Sequence, residues 1–265
     1  MLRKRLVLLL IAMALFGVIG PVWAGGWSVA TLDALPAGVV AGEPFTVGFT
    51  VRQHGVRLVY DLTPSVTASL SPTGKRIVFG ALEDEPGHYT VELTLPTAGT
   101  WHWSIDAFGP GQPMPPLEVV SADQAAAAAE AAGVAETLSP AELAELGAAL
   151  YVAKGCFVCH QHNGVAVDAY ASINSGPNLT LYRGEPDFLR AWLADPAALK
   201  QDTPMPALGL DEGEIAALIA FLNQPDQTPD ASAVLAPCGE HAVGLNPIRG
   251  WLGWLSSEGA ACRQG

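Results

Sequence analysis

Residues 156–160 read Cys156-Phe157-Val158-Cys159-His160. Two thiols at this spacing, followed at once by histidine, form the C-x-x-C-H pattern of covalent c-type haem attachment. Each thiol can form a thioether to a haem vinyl group, and His160 then lies under the iron as proximal ligand. Two other chemistries use a C-x-x-C pair. A thiol redox pair belongs at the start of a helix after a strand, whereas a helical pattern precedes this one. A zinc site needs a second ligand pair nearby, and the remaining cysteines, Cys238 and Cys262, lie far downstream. The motif therefore implies one covalent haem c.

The residues around the motif read as helices. Ser139-Pro140-Ala141-Glu142 is a capping box with proline at the first helical position. Leu143, Leu146 and Leu150 then recur at helical spacing. Gly147 is small enough to let another helix cross closely, and Tyr151 follows one turn later. Pro186 to Asp195 reads as a further helix with Phe188, Leu189, Trp192 and Leu193 apolar, ended by Pro196. Asp211-Glu212-Gly213-Glu214 opens the last helix, with Ile215, Leu218, Ile219 and Leu222 as its buried stripe. Between these two helices lies Thr203-Pro204-Met205-Pro206. Its prolines hold Met205 in a pre-set loop suited to a weak thioether ligand, and a His/Met pair raises the haem potential for electron transfer. The other candidate sixth ligands are His162, too close to the attachment motif to reach the opposite face, and His241 in the tail.

Taken together, these residues resemble a class I cytochrome c. The resemblance rests on Gly147, Tyr151, Gly155 through His160, Gly176-Pro177-Asn178-Leu179-Thr180, Trp192 through Pro196, Lys200, Met205-Pro206 and the last helix. The run GPNLT…WLADP…K…MP is most similar to the cytochrome module fused to subunit II of caa-type oxidases. The resemblance covers residues 139–225. It implies an all-helical fold, a low-spin haem and one-electron transfer through an exposed haem edge, in an electron carrier or a subunit of a larger oxidoreductase rather than an enzyme in its own right. It further implies that the Pro177 carbonyl accepts the His160 Nδ1 proton, fixing the tautomer. Arg183 and Trp192 are candidate partners of the haem propionates. The chain departs from the oxidase subunit in one respect: a dinuclear copper centre needs two cysteines in the preceding sandwich, and no cysteine precedes residue 139.

Residues 25–120 change character, with valine, threonine and aromatics punctuated by glycine and proline. Tyr89, Val91, Leu93 and Leu95 alternate with Thr90, Glu92 and Thr94. Trp101, Trp103 and Ile105 alternate with His102, Ser104 and Asp106. Such alternation buries one face of a sheet and wets the other. Further strands are expected at 27–32, 45–51, 65–70, 75–82 and 117–120. About seven short strands with turns between them imply an immunoglobulin-like sandwich. Gly42-Glu43-Pro44-Phe45, Gln53-His54-Gly55, Gly87-His88-Tyr89 and Pro96-Thr97-Ala98-Gly99-Thr100-Trp101 resemble the YtkA-like or FixH-like extracytoplasmic sandwich domains. That resemblance leaves open a copper site made from His54, His88, His102 and Met114, and with it an alternative function: an extracytoplasmic metal-handling or redox-sensing protein in which haem is the reporter. The whole chain is thus expected to be multidomain, an all-β sandwich followed by an all-α cytochrome c domain. The alanine-rich residues 121–138 join them as a flexible link or a short helix.

The first 24 residues have a basic start, an apolar run from Leu6 and Pro21-Val22-Trp23-Ala24 at the end, the pattern of a secretory signal peptide cleaved after Ala24. An uncleaved membrane anchor is the alternative. Export places the protein in the periplasm or another extracytoplasmic space, where haem is attached and where Cys238 and Cys262 can pair. The chain has 13 basic and 26 acidic residues, a net charge of −13. Without Arg3, Lys4 and Arg5 of the signal, ten basic residues face 26 acidic ones, a net −16. Such acidity excludes nucleic acid as a partner and suits steering toward a basic docking surface on a redox protein. Membrane association is expected only through an uncleaved signal or a partner complex. Residues 226–265 carry no legible motif; the apolar run from Arg249 to Leu255 suits either docking on a partner or packing on the haem domain, and packing is the expectation.

Overall fold

The computed structural model describes residues 26–71, 74–131, 138–165, 173 and 175–224. The proposed signal, the tail, His241, Cys238 and Cys262 lie outside the described residues.

Alternating apolar residues build two antiparallel sheets. The first runs β1 (Ser28–Leu32), β2 (Pro44–Gln53), β7 (His88–Thr94) and β6 (Leu82–Glu85), with β3 (Arg57–Leu58) also paired to β2. The second runs β10 (Leu117–Val119), β8 (Gly99–Asp106), β4 (Ser65–Ser69) and β5 (Ile77–Gly80), with β9 (Gln112–Pro113) also paired to β8. The inward residues are those the alternation picks out: Tyr89, Val91, Leu93 and Leu95 from one sheet, and Trp101, Trp103 and Ile105 from the other, are all buried. In register, Phe49 faces Tyr89, and their rings stack at 5.9 Å. Large side chains of this kind stabilise by about 1.5–3 kcal/mol each when fully buried. Polar handles are satisfied too: Trp103 Nε1 donates to the Pro115 carbonyl, and the Tyr89 hydroxyl donates to Val59 O at 3.0 Å.

One expected strand is two. The stretch 75–82 breaks at buried Ala81, where the chain leaves the second sheet as β5 and enters the first as β6. Both segments are half-exposed edge strands, so neither has the clean alternation that would separate them in sequence. The two-residue strands β3 and β9 are too short to leave any periodic signal.

The alanine-rich link begins as a helix, α1 (Ala122–Ala131). Beyond it come α2 (Pro140–Ala153), α3 (Cys156–Cys159), α4 (Pro186–Ala194), α5 (Pro196–Leu199) and α6 (Glu212–Leu222). The capping box holds the start of α2: Glu142 N–H donates to Ser139 Oγ at 3.3 Å, and Ser139 N–H donates back to the Glu142 carboxylate at 2.9 Å. Asp211 and Glu214 repeat the arrangement on α6. The two helices cross at Gly147, where a Cβ would collide with the Ala217 carbonyl and stand 2.7 Å from Phe221 Cβ. No helix among the described residues is long and apolar enough to cross a membrane.

Candidate haem-attachment site

Helix α2 runs directly into the motif. Lys154 ends it, and Gly155 turns the chain with φ +75°, a left-handed conformation that costs glycine least. One short turn, α3, then carries Cys156 and Cys159 and leaves His160 extended at its end. Apolar Phe157 and Val158 face inward and anchor the turn to the helical core.

The loop that follows folds back over His160. Gly176 N–H donates to Cys159 O at 2.8 Å, and Leu179 N–H donates to Gln161 O at 2.8 Å. Gly176 lies flat against the imidazole, so that a Cβ there would collide with the ring. His160 Nδ1 bonds the Pro177 carbonyl at 2.9 Å, which requires Nδ1 to be the protonated nitrogen and leaves the Nε2 lone pair free for a metal. Burial lowers the His160 pKa, and the bond to Pro177 opposes this only in part, so the ring is a neutral imidazole as ligation requires. The Tyr151 hydroxyl donates to His160 O at 2.7 Å and ties the far side of the same residue to α2.

Burial, reinforced by neighbouring Cys159, pushes the Cys156 thiol up to about 12. A disulfide-exchanging cysteine needs the opposite, a depressed pKa and a ready thiolate. The burial of Cys156 therefore argues against a thiol-redox role for that cysteine.

Met205 sits in the loop between α5 and α6, partly buried against the helical core. Thr203 Oγ1 accepts from its N–H at 3.3 Å, and Trp192 Nε1 of α4 donates to its sulfur at 3.1 Å. Arg183 donates to the carbonyls of Tyr182 at 2.6 Å and Leu222 at 3.1 Å. It thereby links the loop before α4 to the end of α6, beside Asn223, which bonds both the N–H and the carbonyl of Gly184 at 3.0 Å. His162 is buried between the rings of Tyr151 and Phe221, at 5.4 and 4.3 Å. Burial, then the charge of Arg183, lowers its pKa to about 4.

This donor set fits a covalent haem. Two thiols share one turn, a neutral imidazole has its second nitrogen already engaged, and a glycine cradle is moulded to the ring. Residues 144–225 match the family model for cytochrome c. That segment of the chain is a cytochrome c domain, occupying the C-terminal helical half of the described structure. No curated protein matches the chain. Among solved structures, the Lin-41 filamin domain aligns at 12% identity over 34% of this chain and 90% of that one, with a TM-score of 0.27. Domains 4 and 5 of the S-layer protein SbsC align at 17% identity over 36% and 54%, with a TM-score of 0.26. Scores this low carry no argument.

In the sandwich, Met114 is buried in the core. His54 lies tilted against Trp27 with ring centroids 4.3 Å apart, and His88 is held between Asp33 and Asp84. Among the described residues, no group of three histidine, cysteine or acidic side chains is placed to hold a metal ion.

Sequence reasoning missed Lys154, Phe221 and Asn223. A lysine at a helix end reads as solvated, yet this side chain is 2% exposed. Phe221 falls between the expected stripe positions, and Asn223 follows the last one. Nothing in the local pattern marks either residue; only the closure of the chain on itself does.

Proposed function

We propose that the protein is an exported c-type cytochrome that carries single electrons through one covalently bound haem and serves a respiratory or related redox complex outside the cytoplasm. The observation that supports this best is the Cys156–His160 motif with His160 Nδ1 bound to the Pro177 carbonyl, inside a cytochrome c domain. Cys156 and Cys159 would each add S–H across a haem vinyl group, giving two thioethers with no net oxidation. His160 Nε2 and Met205 Sδ would hold the iron. The chemistry such a group supplies is one-electron exchange between ferric and ferrous iron, with a donor oxidised and an acceptor reduced in turn.

The chain's own residues set the conditions. Pro177 and Gly176 hold the imidazole plane, and the buried Phe157 and Val158 anchor the attachment turn to the helical core. Arg183 is the proposed partner of a propionate; Trp192, whose single N–H donates to the Met205 sulfur in this structure, would serve one only by releasing that bond. The acidic surface, at net −13, favours a partner with a basic docking face. The kinship of the sandwich with YtkA-like or FixH-like domains belongs to the same proposal.

Optical spectra of protein made in a host with c-haem maturation test the reading. A low-spin c-type spectrum with the sulfur-to-iron charge-transfer band in the oxidised form is expected. A high-spin spectrum, or a haem extracted by acidic organic solvent, would overturn it.

A further inference from the structure

The attachment loop does not stand free of the sandwich. Val29, on β1, packs into the apolar cluster of the cytochrome domain with Tyr151, Phe157 and Leu218, while Ala153, the last residue of α2, sits in the core cluster of the sandwich. The two backbones meet at glycines. A Cβ at Gly155 would stand 2.6 Å from Val29 Cγ1 and 3.1 Å from the Ala30 carbonyl. A Cβ at Gly55, in the turn after β2, would stand 3.5 Å from Cys159 Sγ. Gly55 has φ +72° and His54 before it φ +55°, so the turn is shaped to bring bare backbone to the sulfur.

Polar contacts fix the arrangement. Lys154 Nζ donates to the carbonyls of Leu32 at 3.0 Å and Asp33 at 2.9 Å, and pairs with Glu214 of α6 at 2.7 Å. A buried ammonium is tolerated only when its donors are used in this way. Gln112 of β9 bonds both the N–H and the carbonyl of Ala30, at 2.9 and 2.7 Å, and so fixes β1 within the sandwich where Gly155 approaches it. Trp27 packs on the cytochrome cluster beside His54, and its buried Nε1 has no hydrogen-bond partner among the described residues.

We infer that the sandwich is part of the haem site: Trp27, Val29 and the His54-Gly55 turn seal the Cys159 side of the attachment loop, and Lys154 clamps the two domains together. The inference rests on the haem reading above. A group bonded to Cys159 is screened on that side by the chain's own first domain, and a redox partner must approach the cytochrome domain over the surfaces that the sandwich leaves open. The sandwich thus acts as a fixed wall of the site rather than as a tethered second module.

Nuclear magnetic resonance of the haem-loaded full chain tests this directly. Low-spin ferric iron is paramagnetic and ferrous low-spin iron is not, so nuclei near the haem change shift with oxidation state. Amides of Trp27 to Ala30 and His54 to Val56 are expected to show redox-dependent shifts as clear as those of α2, while those of β5, at the far edge of the second sheet, show none. Val29→Glu places a charge in the shared cluster and is expected to reduce the shifts at His54 to Val56 at least tenfold. Sandwich amides that do not respond to oxidation state, or shifts at His54 to Val56 that survive Val29→Glu, would overturn the inference. The optical spectrum of the same sample separates the two failures. A low-spin haem with a silent sandwich sinks the docking alone, whereas the lack of a low-spin haem sinks the reading beneath it.

Discussion

Met205 and Lys154 show how unevenly single residues announce themselves. Met205 is legible because two prolines bracket the one methionine between residues 139 and 225. Replacing it with alanine removes the proposed thioether ligand but neither attachment thiol. Met205→Ala is expected to lose the sulfur-to-iron band and lower the haem potential, measured by spectroelectrochemistry, while the haem stays covalently bound. An unchanged band and potential would remove Met205 from the site. Lys154 is illegible because its partners are backbone carbonyls more than 120 residues away and a glutamate that the local pattern assigns to a capping box. Lys154→Met leaves the Glu214 charge and two carbonyls without their donor. Breaking a buried pair from one side costs about 3 kcal/mol, a loss expected in guanidinium denaturation followed at the haem absorption. A change below about 0.5 kcal/mol would mean that water replaces the ammonium at no cost.

At the scale of elements, the strongest sequence signals are those enforced by two independent physical demands. The α2 start carries both a capping box and a proline at its first position, and it begins where the two place it. Residues 75–82 run along two sheet edges with only Ala81 buried, so no buried stripe marks either strand and the break at Ala81 is invisible. The crossing of α2 and α6 is legible only in part: Gly147 signals a close approach but not its partner. That crossing separates steric from intrinsic effects. Alanine favours an isolated helix over glycine by about 1 kcal/mol, so propensity alone has Gly147→Ala stabilise. Its Cβ would collide with the Ala217 carbonyl, however, and overpacking costs about 1–3 kcal/mol. Gly147→Ala is therefore expected to lower the midpoint of thermal unfolding despite the propensity gain. A raised midpoint would show that the helices separate freely and that their contact does not position the attachment loop.

At the scale of the whole molecule, strand alternation and helical spacing make both fold classes legible, sandwich and helical region, but say nothing of their contact, because each side of it is ordinary in its own surroundings. Val29 reads as a strand residue and Gly155 as a helix stop; only the fold puts them together. A histidine held between two carboxylates lies close to that contact. His88 of β7 holds Asp33 at 2.8 Å and Asp84 of β6 at 2.5 Å, and the Asp33 carbonyl in turn accepts from Lys154. Burial alone would lower the His88 pKa, but the hydrogen bonds and charges of Asp33 and Asp84 outweigh it and raise the pKa above the ordinary 6.5. A raised folded-state pKa means that the charged histidine stabilises the fold. That contribution is fully present below about 6.5 and is lost as pH rises through the higher folded value. At acid pH it fades again, as Asp84, whose pKa the His88 hydrogen bond lowers, takes up a proton. The stability difference between the natural protein and His88→Gln is therefore expected to be largest near pH 5.5 to 6 and to shrink steadily toward pH 9. Because the cluster is open to solvent, 1 M salt is expected to reduce the difference at its maximum. Chemical denaturation of both proteins across that pH range provides the measurement. A difference that grows toward pH 9 would reverse the sign of the linkage and show that His88 supports Asp33, and through it the Lys154 contact, as a neutral ring.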